Sequence, residues 1–191
     1  MSIRKNDEGF TGLEAAIVLI AFVVVAAVFS YVVLGAGFFT TQKSQEVVHT
    51  GVQQASSTLE VVGNVYGIAS KAGSPIDNVN FSVALAPGGT SVDFSKVVMT
   101  YSNATSLQTL VENATVGNLA ADSEWSIAEV KNQLTTDQTL EKGETFFINV
   151  KPKGGIIAND VFDISIQPSI GASLGIHRTA PASIQQVNIL Y

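Results

Sequence analysis

The sequence predicts an α+β protein, in which a long N-terminal α-helix is followed by an antiparallel β-sandwich or barrel (Ig-like) domain. Two observations predict this division. Residues 15–39 form an apolar run without a single charge, and from about residue 59 short runs alternate apolar with polar residues. We therefore expect a hydrophobic N-terminal helix and a C-terminal β domain, which we place at 10–57 and 58–191 after a short N-terminal segment at 1–9.

The apolar run is long enough to cross a bilayer, since about 20 helical residues span the hydrocarbon core. Arg4 and Lys5 precede it and favour a cytoplasmic start. Three interpretations follow. The run is a secretory signal cut near Gly35-Ala36-Gly37, a permanent membrane anchor, or a helix retained after cleavage of a leader that precedes it.

Beyond Phe39 the apolar pattern becomes one-sided. Val48, Val52, Ala55, Leu59 and Val62 recur every three or four residues, which predicts an amphipathic continuation of the helix. We expect this stripe to pack against neighbouring copies of the helix, against the chain's own β domain, or against both.

The β domain is predicted to contain seven to nine strands in the region after residue 58. We expect strands at about 59–68, 79–86, 92–102, 124–130, 145–151, 160–167 and 183–191, with turns at Pro87-Gly88-Gly89 and Lys153-Gly154-Gly155. Alternation selects core candidates, namely Phe81, Val83, Leu85, Val98, Trp125, Ile127, Phe147, Val150, Ile164 and Ile166.

Composition and motifs argue against several classes of function. Cysteine is absent, which excludes disulfides, thiolate metal sites and a cysteine nucleophile. A net charge of −6 without a basic patch gives no support to nucleic-acid binding. No phosphate loop, HExxH or GxSxG motif occurs, and the acidic pairs Asp160/Asp163 and Asp137/Glu141 are typical of solvated surface. We therefore expect no enzyme activity, no cofactor and no metal centre, although a calcium-binding loop remains open.

Three Asn-X-Ser/Thr sequons provide candidate N-glycosylation sites at Asn80, Asn103 and Asn113. Asn103 and Asn113 lie in polar, turn-like sequence, whereas Asn80 lies within a predicted strand. A glycan would be bulky and solubilising, so each occupied site should face outward.

The residues around the start of the apolar run are the most informative. Gly9 is followed by Phe10, and Glu14 is the one charge early in the run, a pattern similar to a prepilin-type processing site. The following AAIVLIAFVVVAAVFSYVVLGAGFFTTQKSQE resembles the archaeal flagellins (archaellins), type IV pilin-like filament subunits. The resemblance is strongest over residues 9–60. The acidic pair Asp7-Glu8 departs from the basic pair common before the cleaved bond.

The resemblance implies an extracellular structural subunit of the archaellum, the swimming filament of archaea. A prepilin-type peptidase would cut between Gly9 and Phe10, and a membrane assembly platform with its ATPase would drive export of the transiently membrane-inserted precursor. The helix would polymerise with identical or paralogous subunits. Its expected polymerisation residues are Phe10, Leu13, Glu14, Ile17, Ile20, Val24, Val28, Tyr31, Leu34 and Phe38.

Glu14 has two interpretations. It is either a carboxylate favoured by the helix N-terminus or, as the pilin resemblance implies, the partner of a neighbouring subunit's α-amino group. Two alternatives to the motility function also stay open at this point, an adhesive type IV-like pilin and a membrane-anchored extracellular binding module.

Overall fold

The computed structural model describes residues 7–56, 58–133 and 137–191. Contacts divide the chain into two compact units, Met1–Thr50 and Gly51–Tyr191. The first is helical and the second contains the β domain, and each is described here by itself.

The helical unit belongs to one helix, α1, which spans Asp7–Ser56. It begins within the predicted leader and ends one residue before the expected boundary at 57. The predicted stripe is therefore wrong at Leu59 and Val62, because both belong to the β domain. Thr40 and Thr41 are accommodated in the helix because their hydroxyls donate to the carbonyls of Ala36 (2.8 Å) and Gly37 (3.1 Å).

Twelve strands follow α1 among the described residues. Their bounds are β1 Leu59–Val61, β2 Val65–Ala69, β3 Ile76–Leu85, β4 Val92–Asp93, β5 Val98–Asn103, β6 Leu107–Asn113, β7 Glu124–Lys131, β8 Thr139–Leu140, β9 Thr145–Lys151, β10 Val161–Gln167, β11 Leu174–Thr179 and β12 Val187–Leu190.

Ten strands form one sheet in the order β11-β10-β5-β6-β7-β9-β3-β2-β12, with β1 pairing β3 beside this path. The pairs are antiparallel except β6 and β7, which run parallel. The two end strands of the path are joined by a hydrogen bond from the Thr179 N–H to the Tyr191 carbonyl (2.9 Å). This bond brings the sheet close to a closed barrel. The long helix and the mostly antiparallel sheet that follows it confirm the predicted α+β class.

A two-stranded ribbon of β4 and β8 completes the domain. It is followed by a 3₁₀ turn at Phe94–Lys96, capped by Asp93, that drives Phe94 into the core. Phe94 meets Trp125 and Phe146 edge to face, at centroid distances of 6.2 and 5.1 Å. The aromatic centre of the core is therefore fixed by a turn outside the main sheet.

Several strand predictions were wrong in number or extent. The strand expected at 59–68 is two strands, because Gly63 adopts φ = +83° between them. The strand expected at 92–102 is interrupted by the 3₁₀ turn. The strands β6, β8 and β11 were not predicted, because they are short or carry few apolar residues.

The predicted core is largely confirmed, but two residues predicted to face the core face the solvent. Phe81, Val83, Trp125, Ile127, Val150, Ile164 and Ile166 are buried, and Leu85 is partly buried against them. Val98 is 52% exposed and Phe147 is 37% exposed. Each has buried apolar neighbours on both sides, so strand alternation turns it outward.

The Glu112 carboxyl on β6 makes the stability of the fold depend on pH. One of its oxygens is buried without a hydrogen-bond partner among the described residues. Burial, and then the negative charge of Asp93, raise the pKa of Glu112. The fold therefore favours the neutral carboxyl, and this preference stabilises the protein below the unfolded-state pKa. The benefit is lost as the pH rises through the higher folded-state pKa.

We therefore expect Glu112→Gln to raise the melting temperature by a few degrees at pH 7 and to have little effect near pH 4. The fluorescence of Trp125, the one tryptophan of the chain and a buried one, reports unfolding of the β domain in the detergent-dispersed protein. Glu60→Gln, at an exposed carboxyl of β1, serves as the control. A Glu112→Gln variant less stable than wild type at pH 7 would contradict this account.

Candidate assembly helix

The surface of α1 is apolar on all sides over its first half. Every large apolar side chain from Leu13 to Phe39 is more than half exposed. From Ala15 to Gln42 the sequence carries no charge. Exposing one large apolar side chain costs roughly 1.5–3 kcal/mol. The total for this segment would be tens of kcal/mol, so α1 requires an apolar environment.

The structure brings nine of the ten predicted polymerisation residues onto this exposed surface. Leu13, Ile17, Ile20, Val24, Val28, Tyr31, Leu34 and Phe38 are 55–79% exposed, and Glu14 is exposed as well. The backbones of Gly9 and Phe10 lie within α1. The Phe10 side chain falls outside the described part of the structure, so the processing site stays a prediction.

Small residues are distributed around α1. Ala15, Ala26 and Gly37 are eleven residues apart, which is close to three helical turns, so they share a face. Leu19 and Val33 lie on that face as well, because 18 residues, or five full turns, separate Leu19 from Gly37 and Ala15 from Val33. The small residues therefore leave local gaps between large side chains, where the side chains of a neighbouring helix can interdigitate.

The apolar surface ends at a polar boundary between residues 40 and 46. Here Lys43 and Glu46 form an exposed ion pair of 2.7 Å. By length and composition, the stretch from Gly12 to Val52 is one that could cross a membrane. The same surface therefore suits two environments, lipid and a bundle of similar helices.

Comparison with known proteins assigns the chain to a family. The model of archaeal-type flagellin matches residues 9–178. The chain belongs to the archaeal-type flagellin family. It is 43% identical over 199 residues to probable flagellin 1 of Archaeoglobus fulgidus, covering 100% of this chain and 98% of that protein.

Two solved structures resemble this flagellin. The archaeal flagellum of Methanospirillum hungatei strain JF1 superposes with a TM-score of 0.74 at 38% identity, covering 94% of this chain and 99% of that one. The crystal structure of flagellin FlaB1 from Methanocaldococcus jannaschii gives a TM-score of 0.57 at 19% identity, covering 69% and 95%. The second likeness supports the fold alone.

The asparagine side chains of the three sequons differ in how many hydrogen bonds they form within the fold. The Asn103 Oδ1 accepts hydrogen bonds from the backbone N–H and hydroxyl of both Thr105 and Ser106, at 2.8–3.1 Å. Its Nδ2, the atom that would carry a glycan, donates to Asp160 at 3.0 Å. Asn103 is therefore a structural turn residue, a role that the sequon pattern alone did not reveal.

The other two sequons are less constrained at the amide nitrogen. Asn80 lies within β3, as predicted, and its Oδ1 accepts from the buried Asn149 at 2.5 Å. Asn113 is the last residue of β6, and its Oδ1 accepts from the Thr115 N–H at 3.3 Å. Exposed residues follow it. Its geometry is the most open of the three for modification.

A histidine and a carboxylate lie side by side on the β domain. His177 lies beside Asp163, with 2.8 Å between Nδ1 and Oδ2, on an exposed surface. Within the described ranges no group of three or more metal-ligating side chains comes together.

We expect Asn103→Gln to destabilise the β domain by about 1–2 kcal/mol, because the longer side chain cannot hold the 103–106 turn. Asn113→Gln should leave stability nearly unchanged, and it removes a sequon in the same way. Melting of both variants, produced without glycosylation, separates structural from modification effects. Equal stability of the two variants would show that the turn does not depend on Asn103.

Proposed function

We propose that this chain is the precursor of a structural subunit of the archaellum filament, which polymerises through α1 and serves swimming motility. The observation that carries the proposal is the uncovered apolar surface of α1 in a chain of the flagellin family. The relative from Methanospirillum hungatei, a flagellum, supports it over almost the full length. A structural role also accounts for an exposed surface that is apolar and uncharged from Ala15 to Gln42.

Maturation would remove residues 1–9. A prepilin-type peptidase acting at the cytoplasmic face would cut between Gly9 and Phe10 and leave the apolar helix in the product. Because Arg4 and Lys5 hold the leader on that side, the bond lies where such a peptidase can reach it. The match to the flagellin family, which starts at residue 9, supports this boundary.

Assembly would then transfer α1 from lipid to a core of identical or paralogous helices outside the cell. Lipid and helix bundle are both apolar, so the step needs no exposure of α1 to water. A membrane platform and its ATPase would supply the work of extraction. The Glu14 carboxylate would pair with the new α-amino group of Phe10 on a neighbouring subunit, which would neutralise two charges in the core and fix the axial register.

The β domain would form the outer layer of the filament and would carry any glycans. Asn113 is the favoured site, because its amide nitrogen is not engaged by the described residues and the residues that follow it are exposed. Asn103 is the least favoured of the three because its Nδ2 is held by Asp160.

An adhesive pilin would share the leader and the helix, and a membrane-anchored module would share the helix. Membership of the flagellin family favours the motility subunit over both. Deletion of the gene distinguishes the motility subunit from the adhesive pilin. Loss of swimming with normal attachment supports a flagellin, whereas loss of attachment with normal swimming supports a pilin.

The direct test is mass mapping of the N-terminus of protein sheared from cells. A mature start at Phe10, in material that sediments as long filaments, is the expected result. An intact N-terminus found only in the membrane fraction would identify an anchored module and overturn the proposal.

A single charge in the core should block polymerisation. Val28→Asp would place an unpaired carboxylate among packed apolar helices, at a cost of several kcal/mol per subunit. We expect no filaments by electron microscopy, and fractionation measures how much precursor still enters the membrane, because the carboxylate is unfavourable in lipid as well. Val98→Asp is the matched control, because Val98 is an exposed valine of the β domain. Normal filaments from the Val28→Asp variant would contradict a helical core.

A further inference from the structure

The apolar run of α1 is longer than the hydrocarbon core of a bilayer is thick. The run comprises 25 residues from Ala15 to Phe39, after the charged Glu14 and before the polar Thr40. At a rise of about 1.5 Å per residue it measures about 38 Å, whereas the core is about 30 Å thick. A surplus of about 8 Å therefore has to be accommodated while α1 lies in the membrane.

Tilt alone accommodates this surplus only at a steep angle. A straight helix of this length fits the core when it tilts by about 37°, whereas membrane helices tilt by about 20° on average and by about 40° at most. The alternative is a bend that turns the surplus part of the helix away from the membrane normal. A bend requires a position at which the helix yields easily.

Two glycines lie where the surplus begins. Counted from Ala15, the twentieth residue is Leu34, and about 20 helical residues span the hydrocarbon core. Gly35 follows directly, and Gly37 comes two residues later. Glycine is the weakest helix former after proline and is among the residues at which helices kink. The position of the two glycines therefore matches the outer boundary of the membrane span.

The packing of this chain does not require either glycine. A Cβ atom added to Gly35 or Gly37 would meet no other part of the described structure within 4 Å. Alanine would therefore fit at both positions, and it would favour the helix more strongly. The glycines thus serve either a bend of α1 or the close approach of a neighbouring helix.

The following turn of the helix favours the bend. The Thr40 hydroxyl donates to the Ala36 carbonyl at 2.8 Å. The Thr41 hydroxyl donates to the carbonyls of Gly37 (3.1 Å) and Phe38 (2.9 Å). Bending at the glycines lengthens the backbone hydrogen bonds of these carbonyls. In a membrane, where no water can replace such bonds, threonine hydroxyls keep the carbonyls paired, and this back-bonding itself promotes bending.

We propose that residues 35–41 of α1 form a bending segment, which bends in the membrane-inserted precursor and straightens in the filament. The proposal rests on the proposed function, because it concerns the transfer of α1 from lipid to a helical core. In the bent state residues 15–34 span the hydrocarbon core, and the exposed side chains of Phe38 and Phe39 lie along its outer boundary. A core of packed helices sets no such limit on length, so α1 extends there as one continuous helix.

Distances between two spin labels test this proposal in the full-length precursor, which has no cysteine of its own. Val18→Cys and Val48→Cys attach labels at exposed positions on either side of the bending segment. A straight helix separates them by about 45 Å, and a bend of about 45° shortens that distance by about 3 Å. Double electron–electron resonance measures the distance in vesicles with a core of about 30 Å, in vesicles with a core of about 38 Å, and in filaments diluted with unlabelled subunits.

We expect the shortened distance in the thinner vesicles and about 45 Å in the thicker vesicles and the filaments. Gly35→Ala combined with Gly37→Ala should remove most of the shortening, because alanine stiffens the helix. The matched control Gly51→Ala, at another glycine of α1 with open space around it, should leave the shortening unchanged. Labels at Val18→Cys and Val32→Cys both lie within the span and should stay about 21 Å apart throughout.

Four results would overturn the proposal. The full distance in every preparation would show a straight, tilted helix, and a shortened distance in filaments would show a permanent bend. Equal shortening in both kinds of vesicle would show that membrane thickness does not cause the bend. Undiminished shortening in the Gly35→Ala/Gly37→Ala variant would place the bend elsewhere. If Val48→Cys disturbs assembly, Leu19→Cys with His49→Cys provides exposed labels at the same spacing.

Failure of the underlying function is recognised separately. If cells yield no filaments of the unmodified chain after shearing, the filament role itself fails. If filaments are obtained and the precursor in the thinner vesicles keeps the full distance, only the bend is refuted.

Discussion

The exposed apolar surface of α1 is the constraint on which the rest of the molecule depends. A helix without charge from Ala15 to Gln42 cannot remain in water, and the chain contains no second helix among its described residues to cover it. The hydrophobic effect therefore favours an apolar environment for α1, which either lipid or similar helices can provide. In the proposed maturation, cleavage before the helix would keep this driving force in the mature subunit.

The β domain meets the opposite requirement, since it must fold and stay soluble while its helix changes environment. Its core is complete in itself, with Trp125, Phe94 and Phe146 packed at the centre. The hydrogen bond between Thr179 and Tyr191 brings the two ends of the sheet together. Apart from this bond, β11 and β12 each pair along one edge, with β10 and β2 respectively. The apolar surface that calls for association is that of α1.

Much of this architecture follows from sequence pattern alone, because a long uncharged run and alternating strands leave strong signals. The strand at 145–151 was predicted with its observed bounds. Which of its residues face the core was not predicted correctly. Phe146 and Phe147 are equally apolar, and only the sheet register decides which one points inward. Strand β11 was missed because LGIHRT offers one buried apolar residue, Ile176, and no clear alternation.

The candidate sites show the same limit. The assembly helix could be predicted from the sequence, because its apolar surface follows from its amino-acid composition and does not depend on tertiary contacts. The structural role of Asn103 could not, because Asp160 is 57 residues away and is brought to it only by the β5–β10 pairing.

The central claim is that α1 finds its apolar environment among other copies of itself. A solvatochromic label attached at position 28 through Val28→Cys, in filaments stripped of lipid and detergent, measures this directly. The account predicts an apolar emission spectrum that persists after the last lipid is removed. A spectrum that shifts to that of water while the filaments remain intact would contradict it.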